Sequence, residues 1–440
     1  MTRINIHHIA RIEGHGNVEI KLNKGKIEDI KLVTVEPARF FEAIVGGRHY
    51  DDIALIVSRI CGICSPNHTV TGLLAVEDAL GIEVSRRTQL LRQLLVYGSF
   101  IQNHTTHLYF LSAPDYFKTS SIFPLAEESP KLLQQALELK RLGNDLCAAV
   151  GGRPVHPVNA VVGGFSSEPD PMTLQVLAAR LRATLNNAIQ TVEIFAKFDI
   201  PDFHPMREKL ALHAPNTYTI LADSPEVKIT ALNSVRQFEP SDYHSYIKEH
   251  LQPERGNAKF SLLEAKEDDG AGIPYMVGAL ARINMNWDAL MPVAASAAKA
   301  AMKAGFRQDA DNPYFNNLCQ AIELVDALQR CAALCDELAL NYLEQQGVIA
   351  SPKEINTVEA VGKAASEAPR GTLFYSIGLD KEGRVSSGDV ITPTAQNLAC
   401  IEADLRMLAP QLNDLPQEEM IMRIEQLIRA YDPCLSCAVH

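Results

Sequence analysis

The 440-residue chain is 47% hydrophobic with a formal net charge of -12, enough apolar material for one large core or for two to three domain-sized ones. No stretch concentrates Lys and Arg, which argues against nucleic acid and an anionic membrane surface as partners. No run reaches the roughly 18 apolar residues that cross a bilayer, the N-terminus lacks the apolar segment of a secretory signal, and nine cysteines, an odd number, speak against a disulfide framework and for a reducing, cytoplasmic setting.

In chain order, residues 17–36 alternate apolar and polar around Asn23-Lys24-Gly25, predicting an antiparallel hairpin. Ile53, Ile56, Val57 and Ile60 keep helical spacing up to Cys61, and Thr69 to Leu80 resumes it beyond a break at Pro66. From Ser85 to Ser112, Leu91, Leu94, Leu95, Gly98, Ile101, Thr105, Leu108 and Leu111 form one stripe, predicting a helix that crosses a whole domain. Further helices are predicted over about 131–149, 172–198, 286–305, 315–346 and 417–431. The stretches 215–285 and 354–392 are richer in Gly, Pro and β-branched residues and read as small irregular sheets. The expected architecture is mainly α with β appendages, an α+β class, in a single body spanning 1–440 whose two chain ends can meet in the core.

Four cysteines fall into CxxC pairs. Cys61 and Cys64 stand in Arg59-Ile60-Cys61-Gly62-Ile63-Cys64, where Gly62 permits a tight backbone and Pro66 keeps a helix from running on; Cys434 and Cys437 stand in Asp432-Pro433-Cys434-Leu435-Ser436-Cys437. Four thiolates make a soft ligand set suited to zinc, iron–sulfur or another thiophilic metal. A zinc ribbon places its pairs about 15 to 20 residues apart, whereas these are separated by almost the whole chain, so the site would be the hub of the fold. The other five, Cys147, Cys319, Cys331, Cys335 and Cys400, sit in apolar or helical surroundings and read as core residues.

RxCGxC near one end and DPCxxCxxH at the other are the two signatures of nickel-iron hydrogenase large subunits, and the chain resembles that family. The likeness continues through Arg11 to His15 (RIEGH), Arg39 to Arg48 (RFFEAIVGGR), Ala368 to Gly371 (APRG) and Thr392 to Asn397 (TPTAQN), and the segment 151–164 looks most like the soluble cytoplasmic branch. The resemblance implies a central long-helix bundle with small antiparallel sheets, and reversible heterolytic cleavage of H2 into protons and electrons at nickel and an iron carrying carbon monoxide and cyanide. It implies that Cys61 and Cys434 are terminal on nickel while Cys64 and Cys437 also bridge to iron. Glu13 matches the first proton-relay carboxylate beside Cys434, and Arg370 an arginine set over the metals. Pro393 and Thr394 match the cyanide pocket; Asp432 either holds Arg370 or caps the turn. Glu42, the Val390 carbonyl and His440 match ligands of a separate magnesium or iron site, and the end at His440 resembles a mature form.

By the same resemblance the partner is an iron–sulfur small subunit, with further flavin and iron–sulfur subunits passing electrons to a soluble carrier such as NAD(P) or ferredoxin. No other cysteine cluster and no nucleotide-binding glycine pattern would let this chain do so alone. One departure stands in Gln102-Asn103-His104-Thr105-Thr106-His107, where Asn103 replaces an acidic residue of many relatives; His104 and His107 share a helix face and read as hydrogen-bonded core histidines. Two other readings remain beside this one: a scaffold with structural zinc, and the quinone-binding relative of respiratory NADH–quinone oxidoreductase, which lacks both cysteine pairs.

Overall fold

The structure is a computed structural model and describes residues 2–24, 26–264, 272–341 and 357–440. The hairpin forms as Gly16–Asn23 paired antiparallel with Lys26–Thr34, and Thr2–Ile6 adds a third strand on the far side of Gly16–Asn23. Val18, Ile20, Ile30 and Leu32 are the inward set of this alternation, each essentially fully buried. Gly25, in the expected turn, lies outside the described residues.

Two short helical pieces, Phe41–Val45 and Ile53–Val57, lead through a single 3₁₀ turn at Ser58–Ile60 into Cys61. The next helix is Ser65–Leu80, which corrects the expectation of a break at Pro66. Proline in the first helical turn loses no hydrogen bond and its fixed φ suits the helix, so Pro66 starts the element. Gly62 is likewise not required for a tight turn: its backbone is in an ordinary region and a Cβ there would meet nothing within 4 Å.

The long helix begins at the Ser85 cap, whose hydroxyl accepts from the Thr88 amide at 3.1 Å, and runs Arg86–Thr105. It continues through a π-helical segment, Thr106–Ser112, as a single path through the core. Pro130–Gly151, Pro171–Phe195 and Asn316–Leu340 follow the predicted helices; the first and third pack against the long helix and the second packs on Asn316–Leu340. The expected helix over 286–305 starts later, as Pro292–Met302, because Pro292 can only begin a helix, and Ala279–Asn286 is helical at the end of the stretch expected to be sheet. Pro393–Leu412 is a helix that the periodicity reading missed, and Gln417–Ala430 is one that it found. Residues 342–346, the end of one predicted helix, lie outside the described residues.

The first β-rich stretch contains Lys228–Ala231, Arg236–Phe238, Ile247–Leu251, Lys259–Leu263 and Tyr275–Met276, with Glu208–His213 joining from just before it. Its last part is helical, as above, and 265–271 lie outside the described residues. The second stretch forms an antiparallel sheet in the order Ala360–Ala368, Gly371–Leu379, Val385–Ile391; 354–356 lie outside the described residues. All nine residues of its middle strand are buried, and one face packs on Ser65–Leu80. Gly362 makes that contact possible: a Cβ would stand 2.0 Å from the Ala75 carbonyl oxygen and 2.2 Å from the Ala79 nitrogen. Fully burying each Leu or Ile of such a core contributes roughly 1.5–3 kcal/mol.

Candidate metal centre

Both cysteine pairs end on helix N-termini. Cys64 is the residue before Ser65–Leu80, Cys434 the residue before the short turn Leu435–Ala438, and Thr394 in the first turn of Pro393–Leu412 accepts the Cys434 amide at 2.9 Å. Within the first pair, Cys61 Sγ accepts the Cys64 amide at 3.2 Å. The pairs meet: Cys61 Sγ lies 3.7 Å from Cys434 Sγ, Cys64 Sγ 3.9 Å from Cys437 Sγ, and the Cys434 and Cys437 sulfurs touch. The sulfurs of Cys61, Cys64 and Cys437 all lie within 4.8 Å of one another. All four are buried.

The hydrogen bond with Cys64, helped by the Arg370 charge, lowers the Cys61 thiol against the opposing effect of burial. The same bond, together with burial, raises Cys64 well above its ordinary value. In contrast, the other five cysteines lie in the core as read from the sequence, and burial pushes their thiols up, Cys147 and Cys335 to about 12.

Glu13 reaches this cluster directly. Its carbonyl accepts the Leu435 amide at 2.9 Å, and the Cys434 thiol donates to its Oε2 at 2.8 Å. Ser436 Oγ donates to Oε1 at 2.5 Å. Arg370 arrives at the junction of the two strands Ala360–Ala368 and Gly371–Leu379; Gly371 follows it with a φ of 137°, where a Cβ would strike Val277. Its Nε donates to the Asp432 carbonyl at 2.8 Å and to Oδ1 at 3.1 Å, and Nη2 pairs with the same Oδ1 at 3.1 Å. Nη1 is buried and has no partner among the described residues.

Asp432 therefore holds Arg370. It is itself held in the left-handed region, φ 50°, a strained setting for a residue before proline. Burial alone would raise its carboxyl, but Arg370, His107 and the amides of Asn103 and Gln320 bring it below its ordinary value. Asn103 Nδ2 donates to Oδ2 at 3.0 Å, so the departure at 103 places an amide N–H where an acid would repel Asp432. His104 pairs with Glu323 at 2.9 Å and His107 with Gln320, both on Asn316–Leu340.

The residues expected at the second site also converge. Glu42, Glu249 and His440 bring ligand atoms within 4.8 Å of one another. His440 Nε2 is 2.5 Å from the Val390 carbonyl and Glu42 Oε1 accepts the Val390 amide at 3.0 Å. Burial lowers the His440 imidazole, and its Nδ1 lies 2.7 Å from the Cys437 carbonyl. Glu249 and Lys259 were missed from the sequence: Lys259 Nζ lies 2.8 Å from Glu42 and 3.0 Å from Glu249, and nothing local in either segment marks them. Arg39 was missed as well. Its amide donates to the Val439 carbonyl at 2.7 Å and its guanidinium to the carbonyls of Ile60 and Arg59 at 2.5 and 2.8 Å, stapling the first cysteine pair to the end of the chain.

The fold buries four cysteines where the two ends of a helical body close on each other, and together they offer a soft ligand set for a metal. Residues 39–133 and 227–440 match the model of the nickel-dependent hydrogenase family and residues 3–36 a model described as HoxL-like, and the chain belongs to the nickel-dependent hydrogenases as a catalytic large subunit, an oxidoreductase acting on H2. It is 37% identical over 443 residues to sulfhydrogenase 1 subunit alpha of Pyrococcus furiosus, covering 99% of this chain and 97% of the relative. It is 28% identical over 475 residues to the NAD-reducing hydrogenase HoxS subunit beta of Cupriavidus necator, covering 98% and 93%. Among solved structures, an NAD+-reducing NiFe-hydrogenase in the H2-reduced state superposes with a TM-score of 0.85 at 26% identity over 100% of both chains. Among the described residues no helix is long and apolar enough to cross a membrane.

Proposed function

We propose that the four cysteines hold a nickel-iron centre in which Cys61 and Cys434 are terminal on nickel, Cys64 and Cys437 bridge to iron, and the iron carries carbon monoxide and cyanide. The observation that carries this reading is the convergence of four buried sulfurs beneath an Arg370 Nη1 that has no protein acceptor. A buried guanidinium N–H without a partner costs about 1–3 kcal/mol, and a cyanide nitrogen would relieve it. The Thr394 oxygen already accepts the Cys434 amide, which leaves its hydroxyl proton for a second acceptor beside Pro393.

When bound, such a centre supplies heterolytic cleavage of H2. The chain's own residues then handle the proton: Cys434 Sγ receives it, Glu13 Oε2 takes it over a single hydrogen bond, and Ser436 fixes the carboxylate for that transfer. Arg370, held by Asp432, keeps the face above the cysteines positive and excludes water from it. Glu42, His440 and the Val390 carbonyl would hold a magnesium or iron cation that anchors the C-terminal segment, with Lys259 and Glu249 paired beside it.

Electrons leave through a partner. Its docking face is formed by Phe40, Ile44 and Leu55, large exposed apolar side chains at the start of and along the two adjoining short helices that lead to Cys61. The chemistry that fits is an iron–sulfur small subunit. We extend this to a cytoplasmic complex with further electron-transfer subunits and a soluble carrier such as NAD(P) or ferredoxin; two relatives named as an alpha and a beta subunit, the second of an NAD-reducing hydrogenase, support a multi-subunit assembly. Metal analysis with a dye-reduction assay tests the reading: the matured complex contains nickel and iron and reduces a viologen under H2. Zinc alone, with no H2-dependent reduction, contradicts it.

A further inference from the structure

The segment that delivers Arg370 is held from behind by a second arginine. Arg282, on Ala279–Asn286, is fully buried, and each of its five N–H groups meets an acceptor. Nε donates to Glu323 Oε1 at 2.6 Å and Nη2 to Glu323 Oε2 at 2.8 Å, the paired bonds by which a carboxylate fixes the plane of a guanidinium. Nη1 donates to Glu367 Oε2 at 3.0 Å and to the Ala368 carbonyl at 2.9 Å, and Nη2 also donates to the Pro369 carbonyl at 2.8 Å. Three consecutive residues, 367 to 369, thus end on one guanidinium, and the next residue is Arg370. Pro369 has no amide N–H, so its carbonyl is the one main-chain polar group by which that residue can be held.

Glu323 is fixed from other sides. The Tyr218 hydroxyl donates to its Oε1 at 2.5 Å, and His104 Nε2 lies 2.9 Å from its Oε2. The Phe100 ring faces the Arg282 guanidinium with its centroid 4.9 Å away. Gln320, three residues before Glu323 and so on the same helix face, donates to Asp432 Oδ2 at 3.0 Å. The helix Asn316–Leu340 therefore holds both members of the ion pair beside the cysteines: Asp432 directly through Gln320, and Arg370 through Glu323 and Arg282.

We infer that Arg282 is the positioning residue that sets where the Arg370 guanidinium stands over the cysteines, with Glu323 as the fixed point against which it is aimed. The inference deepens the nickel-iron reading and rests on it for its purpose, although the hydrogen bonds stand without any metal. Lysine cannot do the same work. Its ammonium is a single point with three donors and cannot span Glu323 and both carbonyls in one plane. Once residues 368 and 369 are released, the Arg370 side chain loses its fixed approach to Asp432. A displacement of about 1 Å at such a group costs roughly 100-fold in rate.

Arg282→Lys in the matured complex tests this by two readings. In a crystal structure of the variant, Arg370 Nε is expected to leave its 2.8 and 3.1 Å contacts with Asp432 while the four cysteine sulfurs stay together. In infrared spectra, the cyanide stretching bands are expected to move in the direction in which Arg370→Lys moves them. Nickel and iron content stays unchanged, and H2-dependent dye reduction falls roughly 100-fold. A change that only destabilises the fold lowers the thermal midpoint and leaves both readings where they were. Arg370 still seated on Asp432, or cyanide bands that stay in place while those of Arg370→Lys move, overturns the inference. Glu323→Gln leaves both carbonyls to Arg282 but frees its plane, and it decides the question by the same readings where the lysine variant does not fold. An unsubstituted complex without cyanide bands removes the nickel-iron reading instead, and the crystallographic reading then decides Arg282 by itself.

Discussion

A thiol 2.8 Å from a carboxylate that a serine hydroxyl already orients is a proton-transfer pair, here assembled by residues 421 positions apart. Glu13→Gln keeps the shape of the side chain and one accepting oxygen, and replaces the other by an NH2 that cannot take up the proton. The expected outcome is normal nickel and iron content with hydrogen–deuterium exchange slowed by about 100-fold or more; undiminished exchange takes Glu13 out of the route. Glu13, Arg370, Thr394 and the cysteines were legible because each lies in a short contiguous string whose chemistry can be read in place. Glu249, Lys259 and Gln320 were not, since each acquires its meaning only from a partner on a distant segment. Asn103 was legible as a departure and opaque as to cause, because the carboxylate it accommodates, Asp432, comes from the far end of the chain.

At the level of elements, helix Ser65–Leu80 and the strand Ala360–Ala368 touch backbone to backbone through Gly362. Gly362→Ala drives a methyl into the Ala75 carbonyl and the Ala79 nitrogen, neither of which can swing aside. A loss of at least about 3 kcal/mol is expected, visible as a lowered thermal midpoint; an unchanged midpoint refutes the packing. The same helix carries His68, whose Nδ1 is 2.7 Å from the Tyr375 hydroxyl. Burial first, then the charges of His440 and Arg39, pull His68 down from 6.5 to about 3. Folded His68 thus stays neutral while the unfolded chain takes up a proton below about 6.5, so stability falls as the pH drops from there towards 3. His68→Gln removes that contribution, and unfolding midpoints compared at pH 7 and pH 5 should then differ less than in the unsubstituted chain; an equal difference counts against it. The long amphipathic helices were legible from period alone. Pro393–Leu412 escaped because it buries polar side chains such as Gln396, Asn397, Glu402 and Asp404 beside its apolar ones, which blurs the helical stripe, and begins in a proline-containing motif that reads as a loop; Pro66 misled because a starting proline and a breaking proline look alike in sequence.

For the molecule as a whole, the two chain ends are one structural unit. Glu13 bridges Cys434, Arg39 bridges Val439 and the Ile60 carbonyl, and His440 rests on Val390. Arg39→Ala removes the staple and leaves the thiolates in place, so the matured chain is expected to lose nickel more readily on dialysis against a chelator; equal retention shows that the ends hold without it. The central claim is that four cysteines from these two ends hold nickel and an iron with diatomic ligands. Infrared spectroscopy of the matured complex tests it most directly. The account predicts carbon monoxide and cyanide stretching bands that shift when argon is replaced by H2. A matured, metal-loaded preparation with no such bands contradicts it.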